Sequence, residues 1–297
     1  MYTNLMHTLL RPLLLAAAIA LPAAAATATT ACEHCAEWNA DQAPFKLFGN
    51  SHYVGVRGLS SVLVTSPDGH VLIGGGLPES AEKIMANISA LGFRIDDVKL
   101  ILNSHGHIEH AGGLAELQRR SNALVVASPS AALDLAAGEV GPDDPQYHAL
   151  PTYAPVADMR LAREGGRFNV GDLVMTAHAT PGHTPGGLSW SWQSCEGQRC
   201  LNMVYADDLD AVSRPGFKFS ANSEYPQVLE DFQHSFDTLA ELPCDMLVSA
   251  RPEASQLWQR LEASATAGSA ALIDAQACRS YASAARDKLA ARLESEK

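Results

Sequence analysis

Cationic side chains are scarce in this sequence: 21 lysines and arginines stand against 33 aspartates and glutamates in 297 residues, a formal net charge of −12. No basic stripe is available to neutralise a phosphate backbone, which excludes nucleic acid as a partner. The acidic excess speaks for solubility and selects no substrate. No short-period repeat and no interdomain linker interrupts the chain, so a solenoid or a string of domains is excluded. Apolar residues, by contrast, are not lacking. At 47% hydrophobic and 18% charged the chain is globular, with material for one large core or two halves.

The N-terminus carries Arg11, then Leu13–Leu21, then small residues including Ala26-Thr-Ala28. That run is too short for a bilayer span and reads as a secretory signal over residues 1–28, leaving 29–297 as a single domain in the periplasm or outside the cell. A retained membrane anchor is the alternative; Cys32 is a poor lipidation site because Thr29 stands where a leucine is expected. Without an anchor no membrane partner is expected. Export makes the six cysteines candidates for pairing. Cys195 and Cys200 bracket Glu-Gly-Gln-Arg between strand-like segments, so a bond there would pin a hairpin. Cys244 precedes a strand and Cys278 lies in a helical region, so a bond there would staple that helix to the body. Cys32 and Cys35 remain, with a Cys-x-x-Cys metal or redox site as the sharper alternative.

Residues 45–75 alternate short apolar runs with turn signals such as Pro67-Asp-Gly69 and read as consecutive antiparallel strands. Glu79–Leu91 has helical spacing and Gly92 ends it. Val98–Leu102 reads as a buried strand. Residues 114–138 read as helix, strand (Leu124–Ala127) and helix, and 139–158 as a surface loop at the mouth of a site. Strand patterns return at Arg167, Leu173–Ala177, Gly187–Trp192 and Leu201–Tyr205. Val228–Leu239 reads as an amphipathic helix and Ala270–Leu293 as a last one. Strands then helix, twice, describes two similar halves with a site at their shared edge.

Between the strand 98–102 and the next helix lies Asn103-Ser-His-Gly-His-Ile-Glu-His-Ala-Gly-Gly113. A connecting loop can turn His105, His107 and His110 inward together, which neither a strand nor a helix allows at that spacing. Neutral imidazole suits zinc, and the adjacent Glu109 suits a second metal or a bound water. A solvated histidine-rich loop is the plain alternative.

The His-x-His-x-acid-His pattern after a strand resembles the metallo-β-lactamase superfamily. Phe48-Gly-Asn, Tyr53-Val-Gly, Ser66–His70 and Gly76–Ser80, with the stretches 180–213 and 243–280, resemble its subclass B3. The resemblance implies an α/β, four-layer αβ/βα sandwich. It also implies that His183, in Thr180-Pro-Gly-His-Thr-Pro-Gly186, completes a tight zinc site with His105 and His107, leaving one position open. A second, weaker zinc would fall to Glu109, His110 and Asp208. Four positions depart from the subclass. Glu109 replaces an aspartate, a carboxylate displaced by about 1.5 Å where sites tolerate roughly 0.5 Å. Arg251 replaces a histidine ligand and, being always protonated, cannot ligate. Asp208 replaces a serine, as does a metal-bridging aspartate in the related glyoxalase II, and so stands to restore a ligand. Gly74 replaces an aspartate that would orient a ligand histidine. His178 reads as packing or surface.

The implied function is an exported zinc hydrolase that opens the amide bond of β-lactams by a metal-bound hydroxide, with Glu109 as the catalytic carboxylate. Gln146, Tyr147 and Arg251 would contact the small-molecule substrate, and a monomer is favoured. The acidic pair Asp208 and Asp210 would repel a β-lactam carboxylate unless a cation offsets it. Two alternatives stay open: the same fold acting on a lactone or another ester or amide, and a non-catalytic binding protein with a decayed second site.

Overall fold

The computed structural model describes residues 1–2, 30 and 32–297. The expected signal segment, apart from its first two residues, lies outside the described residues. Among the described residues no helix is long and apolar enough to cross a membrane.

Two sheets form the centre. The first has the order β1 (Phe45–Phe48), β2 (Ser51–Tyr53), β3 (Val62–Val64), β4 (His70–Ile73), β5 (Val98–Leu102), β6 (Leu124–Ala127), β7 (Met159–Leu161). Strands β1 to β4 run antiparallel, as the turn signals predict, and β4 to β7 run parallel. The second sheet contains β8 (Arg167–Val170), β9 (Leu173–Ala179), β10 (Leu188–Glu196), β11 (Arg199–Ala206) and β12 (Met246–Ser249), in reversed order. Only β11 and β12 are parallel there.

Strand side chains alternate between two environments because the strand period is two residues. Val62, Val64, Val71, Ile73, Leu100 and Leu102 point into the space between the sheets, where they meet Met175, Trp190, Met203 and Val248 of the second sheet. The intervening Leu63, Leu72 and Ile101 face the opposite way, in a cluster shared with Cys35 of the short α1 (Cys35–Trp38), α2 (Ser80–Ala90), Ile108 of α3 (Ile108–Ala111), α4 (Leu114–Ser121) and α5 (Pro129–Ala137). Outward residues of the second sheet, Val204 and Leu247, pack on α6 (Val228–Glu241) and α8 (Ala277–Ser295). Burial on both faces explains why these strands read as continuous apolar runs. The result is helix, sheet, sheet, helix, the expected α/β four-layer sandwich.

Four features differ from the sequence expectation. His110 and Glu109 do not lie on an open loop: they stand in the single helical turn α3 (Ile108–Ala111), entered at His107. Ala270–Leu293 is not one helix. A 3-10 turn ends at Leu272, and Asp274 then accepts the Gln276 backbone N–H, a side-chain turn that outcompetes alanine propensity before α8 begins. Helix α7 (Leu257–Ala267) buries only Leu257 and Trp258 fully, too narrow a stripe to show as a period. Edge strand β7 is three residues long with two exposed, below any pattern threshold.

All six cysteines are paired, Cys32–Cys35, Cys195–Cys200 and Cys244–Cys278. Cys195 and Cys200 face each other across the β10–β11 hairpin. Cys244–Cys278 ties the start of β12 to α8, whose Tyr281 hydroxyl donates to the Asp207 carbonyl at 2.9 Å. Non-reducing mass analysis is expected to find no free thiol. A Cys244→Ser, Cys278→Ser double variant is expected to lose about 2–4 kcal/mol in urea unfolding; a loss below measurement error would remove the staple's role.

Residues 139–158 form an irregular stretch, yet part of it is interior. Tyr153 donates to the Gly106 carbonyl at 2.6 Å, and Asp134 of α5 accepts the Gly141 N–H at 3.0 Å. Burial, helped by nearby Asp144, pushes the Asp134 carboxyl up to about 7. A folded pKa above the unfolded value stabilises fully below pH ~4, and that contribution disappears as pH rises to about 7. Asp134→Asn, neutral throughout, is therefore expected to gain on the parent between pH 4.5 and 8. The gain should be of order 2 kcal/mol, with about 4 as the ceiling set by 1.36 kcal/mol per pKa unit. Urea midpoints at the two pH values check this, and equal pH slopes for both proteins would refute it.

Candidate metal centre

Strands β9, β11 and β12 run in one direction, so their carboxyl ends share one edge of the second sheet. The carboxyl end of β5 meets that edge from the first sheet: Trp190 of β10 donates to the Asn103 carbonyl at 2.9 Å, and the Leu188 N–H donates to the Ser104 carbonyl at 2.8 Å. Four strand ends thus deliver His105 and His107 (after β5), His183 (after β9), Asp207 and Asp208 (after β11) and Arg251 (after β12) to one seam. The loop carrying His183 is held rigidly. Gly182 has φ +129°, and a Cβ there would lie 2.7 Å from the Phe232 ring, so only glycine admits α6 this close. Ser235 and Ser128 donate to the Pro181 and Gly186 carbonyls.

His105, His107 and His183 have ring centroids 4.7, 5.0 and 4.9 Å apart, and their facing ligand atoms all lie within 4.8 Å of one another. The first two are fully buried and His183 is 3% exposed. Each ring has its outer nitrogen committed to an oxygen. His105 Nδ1 is 2.7 Å from Asp207 Oδ1, His107 Nε2 is 3.1 Å from both Asp144 oxygens, and His183 Nδ1 is 2.7 Å from the Asp210 carbonyl. These bonds fix the tautomers, so the inner nitrogens present lone pairs. His105 Nε2 and His183 Nε2 are buried with no protein partner, and His107 Nδ1 meets only the Gln146 amide, at 3.3 Å. Buried polar atoms left unpaired and converging are what a metal ion would satisfy. Three converging imidazole nitrogens with one open direction fit a zinc-like ion.

Electrostatics supports the neutral forms at two of the three. Burial pushes His105 and His183 down, and neighbouring imidazoles add to it. At His107 burial also works downward, but the Asp144 carboxylate overrides it and raises the ring to about 9. A metal arriving there displaces a proton.

Beside this trio lies a second group. His110 Nε2 is 3.2 Å from Asp208 Oδ2, and His105, His110 and Asp208 again place ligand atoms within 4.8 Å. Arg251 reaches both carboxylates, its Nη2 donating to Glu109 Oε1 at 2.7 Å and its Nε to Asp208 Oδ2 at 3.1 Å. Burial alone would raise Glu109 and Asp208; the histidines and the guanidinium hold both below the usual carboxylate range. Trp38 covers the guanidinium face, 4.2 Å from the ring centroid. A cleft lined by Trp38, Arg57, Asp210, Glu253 and Lys288 opens on this side.

The structure therefore brings His105, His107, His183, Glu109, His110, Asp208 and Arg251 together. Gln146 touches the trio, while Tyr147 stacks on His148, with ring centroids 3.7 Å apart, farther along the mouth loop. His178 bonds Ser191 on the sheet, away from the cluster. At Gly74, φ is +83° and a Cβ would sit 2.6 Å from the Ser60 carbonyl and 3.0 Å from the Tyr205 hydroxyl, so no aspartate fits there. Asp207 orients His105 instead. Sequence reasoning missed Asp207, Asp144 and Trp38. The doublet Asp207-Asp208 directly after an apolar strand was the available signal for the first.

A family model described as the metallo-beta-lactamase superfamily matches residues 54–196. The solved Rm3 metallo-beta-lactamase superposes with a TM-score of 0.89 at 78% identity, covering 90% of this chain and 99% of that one. MEM-A1, a subclass B3 metallo-beta-lactamase isolated from a soil metagenome library, gives a TM-score of 0.86 at 50% identity over 87% of this chain and 98% of its own. The hydroxyacylglutathione hydrolase of Rhodopseudomonas palustris (strain BisB18) is 32% identical over 107 residues, 36% of this chain. The chain spans about a third of the length of the curated relatives it matches, 32% and 37% for two hydroxyacylglutathione hydrolases. Sandwich, histidine trio and near-complete overlap with solved relatives agree, and the chain belongs to the metallo-beta-lactamase superfamily, among the enzymes of subclass B3.

Proposed function

We propose that this protein is an exported, zinc-dependent hydrolase that opens the amide bond of β-lactams. The observation that carries the proposal is the trio itself: three buried imidazoles with their outer nitrogens bonded to oxygen and their inner ones converging. The similarity to enzymes named metallo-beta-lactamases over nearly the whole chain supports the substrate class. Three cystine bridges support an oxidising compartment, periplasmic or extracellular.

His105, His107 and His183 would hold the zinc, which when bound supplies Lewis acidity and a nucleophile active at neutral pH. The chain's own groups do the rest. Asp207, Asp144 and the Asp210 carbonyl keep the three rings aimed, with their inner nitrogens toward the ion. Glu109 Oε2 is buried and without a partner, while Oε1 is taken by Arg251. Oε2 is therefore the carboxylate oxygen free to accept a proton from the attacking water and to pass it on to the leaving nitrogen. Gln146, 3.3 Å from His107, must move aside for substrate, and so acts as a side chain of the mouth. Arg57 and Lys288 beside the cleft supply cationic groups that offset Asp210 toward a carboxylate-bearing substrate.

Purified protein stripped with a chelator is expected to lose nitrocefin hydrolysis and regain it with added zinc. His105→Ala or His183→Ala should abolish turnover, and His178→Ala should stay within a few-fold. Full metal loading with lactone hydrolysis but no β-lactam turnover would transfer the enzyme to the lactone class, and metal binding with no turnover of either would leave a binding protein. Asp207→Ala is expected to weaken zinc affinity by about 10–100-fold, the usual effect of losing a histidine-orienting carboxylate, read by competition with a chromophoric chelator. An unchanged affinity would reassign Asp207 to packing.

A further inference from the structure

We propose that the guanidinium of Arg251 is the resident cation of the second ligand group, so that this chain holds a single metal ion, in the histidine trio, where the group beside it would otherwise take a second. This rests on the reading of His105, His107 and His183 as a metal site, and deepens it.

Three observations carry the inference. First, the two ligand trios share His105. Its Nδ1 is bound to Asp207, so only Nε2 is free, and one imidazole lone pair serves one ion. Once the first trio is filled, the second retains His110 and Asp208 alone. Second, each carboxylate beside it already gives one oxygen to the guanidinium, leaving Glu109 Oε2 and His110 Nε2 buried without a hydrogen-bond partner. Arg251 donates to Glu109 Oε1 and to Asp208 Oδ2, and Asp208 Oδ2 also lies 3.2 Å from His110 Nε2. The fork geometry of arginine suits this two-carboxylate bridge, and its charge cannot be discharged by proton loss. Third, the guanidinium is fixed rather than wandering. Trp38 lies over its face at 4.2 Å, the Arg251 carbonyl accepts the Ser249 hydroxyl, and the side chain is only a quarter exposed. A dication placed among Glu109, His110 and Asp208 would have to displace this cation or sit against it.

The test counts metal, not turnover. Protein equilibrated with excess zinc, desalted and measured by elemental mass spectrometry is expected to contain one zinc per chain. A cobalt titration of stripped protein should show one saturating spectral transition. Arg251→His and Arg251→Ala, checked for folding by circular dichroism, are expected to take up a second equivalent, tighter in the histidine variant. Two tight equivalents in the parent protein would overturn the inference without any variant. So would folded Arg251→Ala and Arg251→His proteins that still hold one, or an Arg251→Ala with unchanged metal content and kcat and a tenfold higher KM, which would make Arg251 a substrate-binding residue. Failure of β-lactam turnover alone overturns the substrate reading and leaves the metal count standing.

Discussion

Burying four imidazoles and four carboxylates in one seam between two sheets is costly unless every polar atom finds a partner. Here the partners are arranged in sequence. Asp207 takes His105, Asp144 takes His107, the Asp210 carbonyl takes His183, and Arg251 takes Glu109 and Asp208. What remains after this pairing is a small set of inward atoms, and that remainder is the functional site. The architecture serves the pairing: parallel strand ends from the second sheet supply Asp207, Asp208 and Arg251 on one edge, and the loop after β5 is bonded to that edge by Trp190 and Leu188. Helix α8 supports it from behind, through Tyr281 on the Asp207 carbonyl and Lys288 on the Asp210 carboxylate. The Cys244–Cys278 bond ties α8 to the start of β12, three residues before Tyr281 on that helix.

Much of this was legible from the chain alone, because the informative signals are local. Strand alternation at 45–75, the buried runs at 98–102 and 124–127, and the Cys195–Cys200 hairpin all depend on residues within ten positions of one another. The histidine cluster is local too, and Pro-Gly around His183 announced a stiff turn. What escaped was long-range or weakly patterned. Asp144 bonds His107 across 37 positions and Trp38 reaches Arg251 from the N-terminal segment, contacts that no periodicity reports. The loop 139–158 looked solvated because it is rich in Pro, Gly and Asp, yet its Asp144 is buried, with His107 from outside the loop as partner. Helix α8 begins later than its alanines suggest, since Asp274 offers the backbone a competing bond.

The four departures from the subclass make sense together. Gly74 leaves no space for a side chain against Ser60 and Tyr205, and the carboxylate on His105 is that of Asp207, from the opposite sheet. With arginine at 251 the second group loses an imidazole and gains a permanent positive charge, which demands negative partners. Asp208 supplies one. The extra methylene of Glu109 supplies the other: Glu109 starts from the helical turn α3, and its longer arm brings Oε1 to 2.7 Å from Nη2. On the single-ion proposal, Glu109 and Asp208 are neither a decayed ligand set nor an addition to one. They form the anionic half of an ion triad whose cationic half is Arg251.

That triad also changes what the site can do with a proton. A carboxylate bound to a metal through one oxygen and oriented by a second ion has little freedom to accept one. Glu109 instead is anchored through Oε1 by a group that cannot itself give up a proton, and keeps Oε2 buried and unpartnered beside the histidine trio. The neighbouring imidazoles and Arg251 hold Glu109 ionised despite its burial, the form that its proposed role as a base requires. The same arrangement places a fixed positive charge, a quarter exposed, in the lining of the cleft, where in the proposed reaction it would offset negative charge on a leaving nitrogen. A preorganised cation at that place stabilises developing charge without reorganisation, which is the service a second metal ion renders in two-metal hydrolases. On the single-ion proposal, that stabilising charge is part of the polypeptide.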